Sequence, residues 1–280
     1  MGLWDAVTSL PADMAAALME GFRQQLIAFI QPLLEAAKAL ITLNIDPFAF
    51  QDLWLAIVAI ISAFYLLLFL IVGLKFLFGC YDAVHRKQAK EWFKNAVILV
   101  VAVNASLLLY SLLLNLGSAI ALTLWSEELE AVFLVESLGA LDLIWAGIFA
   151  VSLLLALLTL VIRQVFLILG VALFPIGVFL YFIPPLKAYG RVLLNLIGVA
   201  VFIQVLDVVV LIALQLFYGQ FGELAGMALL APSLGFAFIF LANTIAVFVA
   251  IHKALNDVGI KIDLVSTAAH LAGPALMAGV

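Results

Sequence analysis

Long uncharged stretches limit the possible folds of this chain more than any other feature of its sequence. Five of them exceed the roughly 18 residues at which a transmembrane helix becomes the expected structure. Apolar residues make up 68% of the 280 residues and charged residues 10%, against about 45–50% and about 25% in soluble domains. These charges are too few to cover a water-soluble globule. The sequence therefore predicts an all-α, polytopic transmembrane protein.

The apolar windows predict about five membrane spans and one further segment. The spans are at about Leu53–Phe78, Val97–Trp125, Leu143–Ile162, Val192–Phe217 and Leu229–Ile251. The further segment, at about 164–186, carries four residues that kink or break helices: Pro175, Gly177, Pro184 and Pro185. It is predicted to be a proline-broken, re-entrant segment, and the alternative is a sixth span.

The distribution of charge distinguishes these two topologies, because cytoplasmic flanks are enriched in Lys and Arg. With a re-entrant segment, ten basic residues lie on the cytoplasmic side: Lys75, Arg86, Lys87, Lys90, Lys94, Arg163, Lys187, Arg191, Lys253 and Lys261. Only Arg23 and Lys38 remain outside, whereas a complete sixth crossing would leave six basic residues on each side. We therefore expect five spans, with the N-terminus outside and the C-terminus cytoplasmic. Six spans, oriented by the first cytoplasmic loop, are the alternative.

The first 50 residues predict an amphipathic helix. Seven polar residues fall within about 60° of one another on a helical projection: Asp13, Glu20, Gln24, Gln31, Glu35, Lys38 and Thr42. A crossing helix is disfavoured because Glu20 and Arg23 would lie near its middle, so we expect a helix in the outer interface of the bilayer, or one whose polar stripe faces water or a partner. The predicted regions are this helix (1–50), the transmembrane domain (51–251) and a short cytoplasmic tail (252–280).

Polar residues within the predicted spans are candidate functional groups, because ionisable groups are costly in a bilayer. Asp207 lies in the middle of a span, with Gln204 and Gln215 on the same side of the helix. The second span carries a polar strip of four residues: Asn104, Ser111, Asn115 and Ser118. Either set is consistent with a hydrophilic passage, a polar transmembrane partner, or ordinary hydrogen bonds between helices. Hydrogen bonding is favoured for the two asparagines, while both interpretations stay open for Asp207.

Basic residues next to the spans are predicted to form cytoplasmic contacts. They are Arg86, Lys87, Lys90, Lys94, Arg163, Lys187 and Arg191. Arg163 is expected at the end of a span, like Lys75, where a long side chain extends to the lipid headgroups. The densest group, between positions 81 and 95, would contact anionic lipid, DNA or a cytoplasmic ATPase, or would only determine the topology.

The sequence contains no recognisable catalytic or metal-binding motif. No glycine-rich phosphate loop is present, and the three histidines are not spaced as metal ligands. Cys80 is the only cysteine, so neither an intrachain disulfide nor a cysteine-based metal site can form. We expect a protein that is not an enzyme and that uses no cofactor.

One region is similar to a known family. Arg163-Gln164, the sequence Phe174-Pro175-Ile176-Gly177 and the run Phe182–Arg191, followed by a long span with a polar interruption, resemble the core of TrbL-like subunits of type IV secretion and conjugation machines. These are polytopic inner-membrane proteins. The archaeal DNA-import members of the CedA type are closest in size and in having almost no soluble part. The resemblance covers about 141–251; the extracytoplasmic domain and long polar tail of some bacterial members have no counterpart.

The resemblance implies a membrane platform without enzymatic activity. Several copies would form a homo-oligomeric ring in the cytoplasmic (inner) membrane, contact a small two-helix pilin subunit, and assist pilus assembly or the passage of DNA. A separate cytoplasmic ATPase would supply the energy, and membrane lipids would surround the ring. The alternative from another class is a small-solute or ion channel or transporter whose polar path runs around Asp207.

Overall fold

The fold is seen in a computed structural model, which describes residues 3–79, 83–126, 129, 142–221 and 230–257. No strand occurs among these residues. The α helices are α1 (Leu3–Thr42), α2 (Gln51–Phe78), α3 (Ala83–Asn104), α4 (Ser106–Leu124), α5 (Asp142–Phe182), α6 (Lys187–Phe221) and α7 (Leu230–Asp257). Two 3₁₀ turns, Pro47–Phe50 and Pro184–Leu186, precede α2 and α6.

Six helical segments in the described part of the chain are long and apolar enough to cross a membrane. They are Glu20–Thr42, Pro47–Phe78, Ser106–Leu124, Trp145–Phe182, Pro184–Phe217 and Pro232–Lys253. Many large apolar side chains on these helices are exposed, including Leu66, Phe78 and Leu158, as expected for surfaces that face lipid. The prediction of an all-α, multi-pass membrane protein is confirmed.

Helix α5 differs most from its sequence prediction. It runs without a break from Asp142 to Phe182, which corrects the prediction of a separate re-entrant segment at about 164–186. Pro175 removes one backbone hydrogen bond and costs about 3 kcal/mol in an exposed helix, but Pro175 and Gly177 are both buried here. Neighbouring residues pack into apolar clusters, and packing of this kind is what makes proline tolerable inside membrane helices.

The chain reverses after α5, at the other two predicted kink residues. Ile183 has an extended backbone, and Pro184 and Pro185 begin the 3₁₀ turn that leads into α6. Beside the turn the two helices approach closely at Gly190, where a Cβ atom would overlap the backbone of Tyr181. Glycine at this position therefore allows α5 and α6 to pack backbone to backbone.

Contacts divide the chain into two compact units. The first comprises Met1–Asn44, Leu116–Gln164 and Ile203–Thr244. Its largest fully buried side chains are apolar: Ile30, Leu34, Ile41, Leu129, Phe149, Leu153, Leu160, Leu211, Phe236 and Ile239. The rings of Phe149 and Phe236 meet edge to face, with their centroids 5.9 Å apart.

Helix α1 contributes one face to the core of the first unit. Ile30, Leu34, Ala37 and Ile41 are completely buried, and their spacing of three or four residues places them on one side of the helix. The predicted polar stripe lies on the remaining surface, where Glu20, Gln24 and Glu35 are exposed and Gln31, Lys38 and Thr42 are half-buried. The side chain of Asp13 lies outside the described residues. The second half of α1 is therefore a core helix of this unit.

The second unit comprises Ile45–Asn115, Val165–Phe202 and Ile245–Val280; residues 258–280, including most of the predicted tail, lie outside the described residues. In this unit α2 packs against α3, and the Trp54 indole N–H donates a 2.8 Å hydrogen bond to Ser106 Oγ. The Tyr110 hydroxyl donates a 2.6 Å bond to the Leu167 carbonyl. Tyr110 fits against α5 because Gly170 has no side chain there.

Candidate functional site

The first unit contains a buried ion pair between α5 and α6. Arg163 Nη1 lies 3.2 Å from Asp207 Oδ2, and the two side chains are 4% and 0% exposed. Both residues belong to segments able to cross the membrane. A single charge transferred into an apolar medium is strongly disfavoured, whereas two opposite charges in hydrogen-bonding contact compensate each other. The pair therefore allows both charges to lie inside the apolar body of the protein.

The end of α1 completes the surroundings of Arg163. Arg163 Nη2 donates a 2.8 Å hydrogen bond to the Leu40 carbonyl oxygen, and Gln164 Nε2 donates a 2.7 Å bond to the same oxygen. One residue on, the Ile41 carbonyl accepts a 2.8 Å bond from Gln204 Nε2 of α6. These side chains, together with Asn243 of α7, are called the polar cluster below.

Helix geometry explains why three donors converge on two carbonyls. The last four carbonyls of an α helix have no intrahelical N–H partner, and they carry the partial negative charge of the helix dipole. Because α1 ends at Thr42, the carbonyls of Leu40 and Ile41 belong to this set. The Arg163 guanidinium thus lies between two negative groups, the Asp207 carboxylate and the end of α1.

Several atoms of the polar cluster have unused hydrogen-bonding capacity within the protein. They are Arg163 Nε, Gln164 Oε1, Asp207 Oδ1 and both side-chain polar atoms of Asn243. The Asn243 side chain lies beside Asp207, but its polar atoms make no hydrogen bond within the described part of the protein. The set contains both donors and acceptors, so it matches small neutral species such as water better than it matches a bare cation or anion.

No known relative guides the interpretation of this cluster. The chain matches no protein-family model, and no curated protein or solved structure is detectably similar to it. Its function is therefore inferred from its own residues and from the motif resemblance described in the sequence analysis.

The structure brings together only part of the predicted Asp207 site. Asp207 and Gln204 both lie in the polar cluster, while Gln215 is half-buried further along α6. The prediction that Arg163 lies at a span end and makes cytoplasmic contacts is corrected, because its side chain is enclosed and paired with Asp207. Gln164 and Asn243 were not predicted as site residues. The sequence signal that could have identified them is that both are polar residues within long uncharged stretches, since polar groups inside spans usually have partners.

The predicted polar strip on the second span does not form one continuous surface. Ser111 and Ser118 are buried, whereas Asn104 and Asn115 are exposed. Asn104 Nδ2 donates a 2.7 Å bond to the Val100 carbonyl of its own helix, and Ser111 Oγ bonds similarly to Leu108. Ser118 Oγ donates to Asn44 Oδ1 at 3.2 Å in the first unit. The Asn104 bond lies within its own helix, whereas the sequence favoured hydrogen bonds between helices for this residue; of these three contacts, only that of Ser118 joins separate segments of the chain.

The remaining predicted contact residues lie on exposed surfaces. They are Arg86, Lys87, Lys90 and Lys94 on α3, and Lys187 and Arg191 at the start of α6. Within the described residues, no group of three or more His, Cys, Asp or Glu side chains is arranged to hold a metal ion. The candidate functional site is therefore the polar cluster around the Arg163–Asp207 pair.

Proposed function

We propose that the chain is a non-enzymatic platform subunit of a type IV secretion-like machine, of the conjugation or DNA-import kind. The polar cluster is the observation that carries this proposal. Its charges are directed at each other and at the end of α1, so intramembrane polarity is used to hold α1, α5 and α6 together. A protein whose buried charges join its helices is better suited to act as a rigid scaffold than to carry solutes.

The family resemblance supports the same proposal through specific residues. Its first motif, Arg163-Gln164, supplies two of the three donors that hold the end of α1. Its proline-containing motif, Phe182–Arg191, includes the turn between α5 and α6. In TrbL-like subunits the corresponding core belongs to a homo-oligomeric ring in the cytoplasmic membrane. By that resemblance, the partners of this chain are further copies of itself, a small two-helix pilin subunit and a cytoplasmic ATPase.

An unbroken α5 supports the proposed orientation, with the C-terminus in the cytoplasm. If α2, α4, α5, α6 and α7 each cross once, the basic start of α3 and the turn before α6 lie on one side of the membrane. Enrichment in Lys and Arg supports the assignment of that side to the cytoplasm. With α1 on the outer side, the N-terminus is outside. If α1 also crosses the membrane, the N-terminus lies in the cytoplasm and the rest of the orientation is unchanged.

Purification from native membranes tests the platform proposal. The tagged chain would be cross-linked, extracted in mild detergent and analysed by mass. We expect a homo-oligomer with a two-helix pilin and an ATPase, and loss of DNA transfer when the chain is deleted. The matched variants are Lys187→Gln/Arg191→Gln, which remove exposed charge at the turn, and Arg23→Gln/Lys38→Gln, which remove equal charge from α1. Only the first pair should reduce ATPase recovery. A monomer without these partners would contradict the proposal.

Labelling of single cysteines, with Cys80 replaced, tests the orientation. A cysteine beside Lys187 should react only with reagents that reach the cytoplasm. A cysteine near the start of α1 should react only with reagents that stay outside. Reaction of the cysteine beside Lys187 with an outside reagent would show that the orientation is the opposite one. Reaction of the α1 position from the cytoplasm alone would identify α1 as a sixth crossing.

The alternative function is a small-solute or ion channel or transporter around Asp207. The atoms of the polar cluster without protein partners favour it, because they are available to a mobile water or proton. Flux measurements on the purified chain in liposomes test it. Flux that is lost in Asp207→Ala, while the protein stays folded, would favour transport over the platform. Absence of flux together with recovery of the pilin would exclude transport as the main function.

A further inference from the structure

One end of the second unit combines basic side chains with aromatic rings. Lys75 Nζ lies 4.3 Å from the centroid of the Trp92 ring, and Lys187 Nζ lies 5.2 Å from that of Tyr181. Both distances are within the range of a cation–π contact. An ammonium group above an aromatic face is partly ordered and still has free N–H donors.

Two helices of the unit direct these lysines to the same end. Near the start of α2, Trp54 bonds to Ser106 of α4. One helical turn further along α4, Tyr110 contacts Phe174 of α5, at 5.4 Å between ring centroids. Further along both helices, Phe179 of α5 lies 6.1 Å from Phe64 of α2. Contacts therefore advance in the same direction along α2 and α5, so the helices run parallel. Lys75 near the end of α2 and Lys187 just after α5 consequently lie at one end of the unit.

The start of α3 adds an exposed basic face at this end. Lys87, Lys90 and Lys94 lie within about 60° of one another around the helix, and all three are exposed. Arg86 lies on the same side, and Glu91 is an exposed acid of this helix segment. Lys75, Lys87, Lys90, Lys94 and Lys187 are called the basic end below. Its positive charge favours an anionic partner.

Exposed apolar side chains beside the basic end identify the kind of partner. Leu77 is 67% exposed, Phe78 71% and Phe93 47%. Such residues next to lysines suit the boundary of a bilayer, where acyl chains cover the apolar groups and long basic side chains reach the headgroups. Nucleic acid or free phosphate would neutralise the charge but would leave these apolar groups in water. We propose that the basic end is a binding site for the phosphate headgroup of anionic phospholipids.

The proposal of this site does not rest on the proposed secretion function, and it can be tested on the purified full-length chain. Native mass spectrometry would measure binding of phosphatidylglycerol and of phosphatidylcholine, which differ in net charge. Lys87→Gln/Lys90→Gln is the test variant, and Arg23→Gln/Lys38→Gln in α1 is the matched control. Near an anionic surface each lysine contributes about fivefold in affinity, so the test pair should weaken phosphatidylglycerol binding roughly thirtyfold. Binding of phosphatidylcholine should not change.

Further measurements separate the site from general charge effects. Lys75→Gln, which removes one aromatic-seated ammonium, should weaken phosphatidylglycerol binding by a smaller factor of about five. Circular dichroism and size-exclusion profiles should be those of the unmodified protein, because the glutamine substitutions at positions 87 and 90 are on exposed helix surface. Equal weakening by the control pair, or no weakening by the test pair, would overturn the proposal. So would displacement of the lipid by inorganic phosphate or a short oligonucleotide at comparable concentration.

Discussion

Removing either partner of the Arg163–Asp207 pair should destabilise the protein strongly. Asp207→Leu leaves a guanidinium with only the Leu40 carbonyl as a protein acceptor, and Arg163→Met leaves a carboxylate with no charged partner. Loss of one member of a buried ion pair costs about 3–5 kcal/mol, because the other charge stays buried without compensation. We expect each single variant to lower the free energy of unfolding by an amount in this range.

The double variant Arg163→Met/Asp207→Leu should be more stable than either single variant. It removes both charges, and replacement of a whole buried pair by apolar residues of similar volume is often close to neutral. What it still loses is the bond from Arg163 to Leu40, and a hydrogen bond to a charged group contributes about 1.5–3 kcal/mol. Gln164 continues to donate to the Leu40 carbonyl, which limits this loss.

Equilibrium unfolding in mixed detergent micelles, followed by circular dichroism, gives these free energies in a double-mutant cycle. Arg191→Met is the control, because it removes an exposed arginine from α6 and should change stability by about 0.5 kcal/mol or less. If the two single losses simply add in the double variant, or if Asp207→Leu has no more effect than the control, then the ion pair does not hold these helices together.

Four other substitutions, one of them a control, test the packing within each unit by the same unfolding measurement. Gly190→Ala should destabilise strongly because its Cβ would overlap the α5 backbone, while Gly198→Ala, with open space around it, should be neutral or slightly stabilising; equal effects would refute the close approach. Gln204→Leu should cost about 1–3 kcal/mol, because the Ile41 carbonyl in the last turn of α1 is left without a partner. Tyr110→Phe should cost only about 1 kcal/mol, because its acceptor lies within a continuous helix; a larger loss than that of Gln204→Leu would contradict this difference.

The polar cluster illustrates how much of a site is readable from sequence. Asp207 and Gln204 stand out because they are polar residues three positions apart in an apolar span. Arg163 stands out equally, but the same sequence suits a span that ends there or one that continues. Its partner is 44 positions away, and the carbonyl of Leu40 that it also binds is 123 positions away. No local pattern specifies either contact.

Membrane insertion, in contrast, is determined almost entirely by the sequence. Transfer of a helix into lipid depends on a sum over about 20 neighbouring side chains, so the composition of each stretch is sufficient to predict an all-α, multi-pass protein. Whether α5 could continue past Arg163 and through Pro175 was decided only by the tertiary structure. The charge needed Asp207 and the end of α1 as partners, and the proline needed a packed environment. Both conditions arise from residues far apart in the chain, which only folding brings together.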